Sequence, residues 1–237
     1  MPLPTFLTHC TSYREIARDV IEFTLTKPEG FTFKAGQFVM FQVPLKDKPE
    51  DLQGRAYSIA SSPDESELLF LIKLKEGGRA SRWVRDDLHV GSEVTMQGPL
   101  GNFILKEGDH DLLFIGTSTG VVPFRSQILS ALSKGEARRI DLVYGVRSEE
   151  DVFWQEEFTK IAKQHPDFHA HIALSQPSPS WAGLTGRVQI VTPSAVPDVA
   201  GRSVYVCGNP AMVEEVKTAA LGPWGVAKER LHVEGYV

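Results

Sequence analysis

Cysteine is scarce in this sequence: Cys10 and Cys207 are the two it has. Two thiols build no disulfide framework, which points to a reducing setting. They also fall short of the four thiolates that usually hold an iron–sulfur cluster, so the chain is expected to carry none of its own. No apolar run approaches the roughly 20 residues that span a bilayer. The opening MPLPTFLTHC lacks a basic stretch followed by an apolar one. A cytoplasmic protein without membrane insertion is therefore expected. Positive charge is not in excess either: 25 Lys and Arg against 30 Asp and Glu leave a net charge of -5. That balance gives no general attraction to nucleic acid or anionic membrane. The seven histidines are scattered. His169 and His171 sit in FHAHIALS with no Cys or carboxylate at ligand spacing, so they read as surface positions of a strand, and no metal site is expected.

What is present is enough for two modest domains: 237 residues, 42% of them hydrophobic. The first hundred residues carry short runs with period-two or β-branched character, DVIEFTLT, QFVMFQVP, AYSIAS, LLFLIKLK and SEVTMQG, separated by turn residues. This pattern predicts an antiparallel β-barrel or sandwich. From Asp111 strands alternate with helical stretches: LLFIG and PFRSQILSALSKG, RIDLVYG and EEDVFWQEEFTKIAKQ, FHAHIALS, then SVYVCG and PAMVEEVKTAAL. Such alternation predicts βαβ units on a parallel sheet. With GPLGNFILKEGDH as the hinge, the expected domains are 1–104 and 105–237.

Two segments point to ligands. GTSTGVVPFRS, from Gly116 to Ser126, follows an apolar strand and precedes a helix, where a glycine-rich turn admits a diphosphate to backbone N–H groups and the helix start. It holds only Gly116 and Gly120, not the three glycines of the usual dinucleotide fingerprint. A tight strand-to-helix turn is the plain alternative. ArgAlaTyrSer, at 55–58, combines a phosphate fork, a flat ring and a small hydroxyl. On a strand Arg55 and Tyr57 point one way and Ser58 the other, so one ligand meets all three only at a strand end or bulge.

Together with other segments these resemble the plant-type ferredoxin–NADP reductase family over nearly the whole chain, in a stand-alone form without an iron–sulfur domain. In the family's order they are AlaGlyGlnPhe (35–38), ArgAlaTyrSer (55–58), GlyGlyArgAlaSer (77–81), GlyProLeuGlyAsnPhe (98–103), GTSTGVVPFRS, TyrGlyValArg (144–147), CysGlyAsnPro (207–210) and the ending ValGluGlyTyrVal. The resemblance implies an FAD-binding antiparallel barrel followed by an NAD(P)-binding α/β domain. It implies that Arg55 binds an FAD phosphate, that Tyr57 stacks on the flavin and that Ser58 hydrogen-bonds near flavin N5, with Ala56, Ile72 and Lys73 in the same site. Gly78, Arg79, Ala80 and Ser81 would meet the FAD pyrophosphate. Gly116, Thr117, Gly120 and Pro123 would shape the dinucleotide loop. Cys207 and Gly208 would lie beside the nicotinamide, Glu234 would position it or relay a proton, and Tyr236 would cover the flavin until the nicotinamide displaces it. Ser58, Cys207, Glu234 and Tyr236 form the implied catalytic set. Two departures stand out: Ser118 occupies a usual glycine position, and Val237 follows the aromatic that often ends the family's sequences.

Arg147, Ser175, Gln176 and Arg187 would receive the adenosine end. NADP-using members typically show Ser then Arg after the strand HIAL, whereas here Gln176 follows Ser175. Arg147 and Arg187 resemble phosphate-binding arginines, so the expectation leans to NADPH over NADH. The implied activity is an FAD-dependent NAD(P)H reductase passing single electrons to a separate acceptor such as ferredoxin or flavodoxin, with Lys73, Lys75, Arg79, Arg82 and Arg85 available to an acidic partner. Alternatives are a reductase of free flavin, quinone or ferric chelate, the reductase subunit of an oxygenase system, or a flavin-binding sensor without turnover.

Overall fold

The structure, a computed structural model, describes residues 3–45 and 48–236; the expectation attached to Val237 lies outside them. The chain forms two compact units, residues 1–105 with 125–130, and residues 106–124 with 131–237.

In the first unit, the described residues form a six-stranded antiparallel sheet of β1 (Thr5–Ala17), β2 (Val20–Thr26), β3 (Phe38–Leu45), β4 (Lys48–Ser58), β5 (Glu67–Lys73) and β6 (Glu93–Leu100), in the order β4-β3-β6-β1-β2-β5. The two edges meet just beyond β4, where the Ala60 N–H donates to Leu69 O at 2.8 Å and curls the sheet toward a barrel. Inside, Phe23, Phe41 and Phe70 are fully buried and pack on one another with ring centroids 4.9–5.9 Å apart. α1 (Arg79–Asp86) presents Trp83 and Val84 to the same core.

β1 escaped the sequence pattern because its pairing with β2 slips between Cys10 and Ser12 and again between Glu15 and Ala17. Each slip breaks the strict alternation that marks a strand. β4 begins eight residues before AYSIAS, at Lys48. Its first half, KPEDLQG, is polar because an edge strand needs little apolar cover.

The second unit holds a parallel sheet of β7 (Leu112–Thr117), β8 (Ile140–Val146), β9 (Phe168–Leu174), β10 (Leu184–Thr185), β11 (Ser203–Gly208) and β12 (Leu231–Gly235), in the order β10-β9-β8-β7-β11-β12. Every residue of β8 is buried, as a strand covered on both faces requires. The helices are α2 (Val122–Ser133), whose residues 125–130 belong to the first unit, α3 (Gln155–Gln164), α4 (Val188–Ala195) and α5 (Pro210–Leu221). The helical stretch expected over 149–164 is in fact broken. Ser148 and Asp151 close a separate 3₁₀ turn at Glu149–Asp151, and Trp154 at φ +58 interrupts the chain before α3. α4 was not foreseen, since Pro193 lies within it. Among the described residues no helix is long and apolar enough to cross a membrane.

Candidate functional site

The second unit starts at β7, builds outward through β8 and β9, and then returns to lay β11 on the other flank of β7. That reversal opens a crevice at the carboxyl ends of β7 and β11, where open α/β sheets take their ligands. Gly116 and Thr117 end β7, Cys207 and Gly208 end β11, and Cys207 lies in register with Gly116. Close approach explains the glycines. A Cβ on Gly120 would lie 2.2 Å from Cys207 O, and one on Gly208, which has φ +145, would lie 2.6 Å from Thr117 Oγ1. Ser118 turns through φ +49, a conformation that disfavours any side chain, at the position where the resemblance expects glycine. Pro123 then sits in the first turn of α2, where its missing N–H costs nothing.

Three further residues gather at the same strand ends. The Tyr236 N–H donates to Gly208 O at 2.9 Å and its hydroxyl to Thr119 O at 3.3 Å. Tyr236 is thus tied at both ends and is not a frayed terminus. The side chain of Cys207 is hydrogen-bonded to Tyr236, and burial pushes its thiol well above the usual range. Such a thiol packs and positions; it does not attack. Glu234 lies in register with Cys207 on the neighbouring strand. Burial lifts its carboxyl from 4.5 to about 7, which lets it hold or release a proton near neutrality. Thr119 carried no sequence signal, because it contributes a main-chain carbonyl.

Arg147, Ser175, Gln176 and Arg187 also come together. The N–H groups of Ser175 and Gln176 donate to the carbonyls of Val146 and Arg147, and the Gly186 N–H donates to Leu174 O. Arg147, Ser175, Gln176 and Arg187 are all exposed. Arg187 Nη1 lies 4.0 Å from Glu215 Oε2.

In the first unit, Ser58 is the last residue of β4, so ArgAlaTyrSer does fall at a strand end. Tyr57 is half-buried, packs on Phe41 at 5.6 Å, and has its hydroxyl pKa pushed up to about 12 by burial. Ala56 is exposed, Arg55 half-exposed and Ser58 buried. Gly78 is the N-cap of α1, and no side chain caps the helix. The left-handed glycine there is Gly77, at φ +68, not Gly78. The Ser81 hydroxyl is buried and accepts the Lys75 N–H at 2.7 Å. The Ile72 side chain belongs to the core, which leaves only its main chain for a ligand, and Lys73 Nζ donates to Arg18 O.

The basic stretch is largely neutralised within the unit, with Arg79 beside Asp51, Arg82 beside Asp87 and Arg85 beside Asp86. His171, expected as a surface position, instead places Nε2 2.8 Å from Oδ1 of the fully buried Asp141.

Both halves match family models: residues 8–104 an oxidoreductase FAD-binding domain, and residues 114–218 an oxidoreductase NAD-binding domain. The chain is 34% identical to ferredoxin–NADP reductase B of Sorangium cellulosum, over 98% of this chain and 97% of that one. It is 31% identical to the ferredoxin–NAD(P)(+) reductase component of the naphthalene 1,2-dioxygenase system of Pseudomonas putida, over 90% of this chain but only 62% of the relative. The crystal structure of the Amycolatopsis cytochrome P450 reductase GcoB matches 99% of this chain and 71% of its own, with a TM-score of 0.88 and 31% identity.

Proposed function

Since the chain belongs to the ferredoxin–NADP reductase family, we propose that it passes electrons from NADPH, through FAD, to a ferredoxin or flavodoxin. It is an FAD-dependent NAD(P)H oxidoreductase with a separate acceptor. The observation that carries the reading is the crevice at the ends of β7 and β11, where the Cys207 carbonyl excludes a side chain at Gly120, Gly208 turns through φ +145, and burial lifts the Glu234 carboxyl to about 7. Similarity over 97% of a relative named as a ferredoxin–NADP reductase favours a ferredoxin acceptor over an oxygenase partner.

The residues fit both cofactors. The uncapped start of α1 suits a pyrophosphate, and the half-buried Tyr57 offers a flat face. The cradle around Gly120 and Gly208 suits the dinucleotide. Bound FAD supplies the conversion of a two-electron donor into single-electron delivery.

Arg55 would hold a phosphate of FAD, Ala56 and Tyr57 would line its ring and ribityl chain, and Ser58 would offer a hydroxyl to flavin N5. Ile72 and Lys73 contribute through their main chain, and Gly78 to Ser81 receive the pyrophosphate. Gly116, Thr117, Gly120 and Pro123 shape the loop for the dinucleotide diphosphate. Arg147, Ser175, Gln176 and Arg187 meet the adenosine end. Tyr236 would yield its place over the strand ends to a nicotinamide, Cys207 and Gly208 would leave room for the ring, and Glu234 would hold a proton for it. The protein works in the cytoplasm.

The test is anaerobic. Purified holoprotein should be yellow, release FAD on boiling, and bleach rapidly with NADPH. Reduced holoprotein should then pass electrons faster to ferredoxin or flavodoxin than to free flavin, quinone or ferric chelate. Failure to bleach would leave a flavin-binding sensor; preference for the small acceptors would make it a reductase of those.

A further inference from the structure

α2 buries three consecutive polar side chains, Arg125, Ser126 and Gln127, at 7%, 0% and 0% exposure. A surface helix normally turns such residues to water. Here each is directed to a main-chain carbonyl of the first unit, to which residues 125–130 belong. Arg125 Nη1 donates to Ala60 O at 2.9 Å, Ser126 Oγ to Ser61 O at 2.6 Å, and Gln127 Nε2 to Phe103 O at 2.6 Å. Glu65 completes the arrangement: it lies 3.1 Å from Arg125 Nη1 and also accepts the Ser62 N–H.

Residues 59–62 directly follow Ser58, the last residue of β4. Past that point the β3 ladder no longer holds the chain. The Ile59 and Ala60 N–H groups go to Gln37 O and Leu69 O, and Ser61 Oγ accepts the Leu69 N–H. The Ser62 carbonyl accepts the Glu65 N–H, and the carbonyls of Ala60 and Ser61 are those that α2 takes. Apolar side chains would fill the same volume. Directed bonds to two successive carbonyls add something apolar packing cannot, because they set the orientation of both peptide planes and so the backbone path leading back to Ser58.

We propose that Arg125 and Ser126 are positioning residues for the flavin site, acting through residues 59–62 to hold the Ser58 hydroxyl in place. The proposal rests on the assignment of Ser58 to flavin N5.

The experiment uses holoenzyme carrying Ser126→Ala, Arg125→Lys or Ser58→Ala, and the two double variants that combine Ser58→Ala with each of the others. The readouts are the midpoint potential of the bound flavin and the rate of its reduction by NADPH in a single anaerobic turnover. Arg125→Lys keeps the charge beside Glu65 while losing the planar fork, so it tests geometry without unpairing a carboxylate. Ser126→Ala and Arg125→Lys should each slow reduction about ten-fold or more, the scale of a small misplacement at a reacting centre. Both should move the potential in the direction that Ser58→Ala moves it. In the Ser58→Ala background each should add less than about two-fold, because the group they position is gone. Full multiplication of the effects in that background, or no effect of either single variant, would overturn the proposal and leave the Ser58 assignment standing. If Ser58→Ala itself changed neither readout, the Ser58 assignment would fall and the proposal with it.

Discussion

Ser118 and Glu234 hold the two least comfortable states near the strand-end crevice. Ser118 adopts φ +49, where a side chain costs about 1 kcal/mol. Ser118→Gly removes that strain but adds freedom to the unfolded chain. The expected net gain is up to about 1 kcal/mol, read as a raised unfolding temperature; a lowered one would show that the Ser118 hydroxyl holds the loop. Glu234 is raised by burial from 4.5 to about 7, so the folded state keeps its proton longer than the unfolded chain does. Its contribution to stability is complete below the ordinary carboxylate value and is lost as the pH rises through about 7. Glu234→Gln should abolish that decline and be relatively more stable at about pH 8 than at about pH 4, by denaturant titration. Parallel pH profiles for variant and wild type would place Glu234 in water.

Among the elements, β8, β9 and the start of β11 share a buried ionic cluster at their amino ends, away from the glycine-lined crevice. Asp141 is fully buried and receives Arg139 at 2.8 Å, His171 at 2.8 Å and Arg202 at 3.3 Å. Burial alone would raise its pKa, but the hydrogen bonds of His171 and Arg139 and the charges of Arg139 and Arg202 outweigh that and lower it. Its stabilisation is therefore present above the ordinary carboxylate range and lost as the pH falls through the depressed value. Asp141→Asn should cost about 3–5 kcal/mol, because it leaves the buried Arg202 without its deepest partner. Asp141→Leu combined with Arg202→Met should cost less than the two single changes summed, in calorimetric unfolding. Simple additivity would show that the two residues do not depend on each other. Little of this cluster was legible in the sequence, where His171 read as a surface position. Strand alternation assigns a face, but which strand lies alongside, and with what charge, follows from sheet order. β1 was illegible for a related reason, since its two slips in pairing mix the inner and outer sets of residues.

At the scale of the whole molecule, the remaining choice is between NADPH and NADH. Arg147 and Arg187 are exposed near Gln176, where a 2′-phosphate would need cations, and Gln176 supplies none. Arg187→Ala should lower kcat/KM for NADPH at least about ten-fold, the loss of one charge-assisted contact, and change that for NADH little. Gln176→Arg should raise NADPH selectivity, and equal losses with both donors or a wild type faster with NADH would refute the preference. The sequence by itself determined the two-part architecture, through the shift from period-two runs to strands alternating with helices. It determined the loops that follow β7 and β11 as well, because Gly208, Pro123 and Pro210 answer to local backbone geometry. Only the tertiary structure decided which segments those loops meet. The demand for glycine at Gly120 comes from Cys207, the anchoring of Tyr236 from Thr119, and the bonds that Arg125 and Ser126 make from Ala60 and Ser61. These partners lie 65 or more residues away along the chain and answer through main-chain atoms that every residue shares, so no side-chain pattern could announce them.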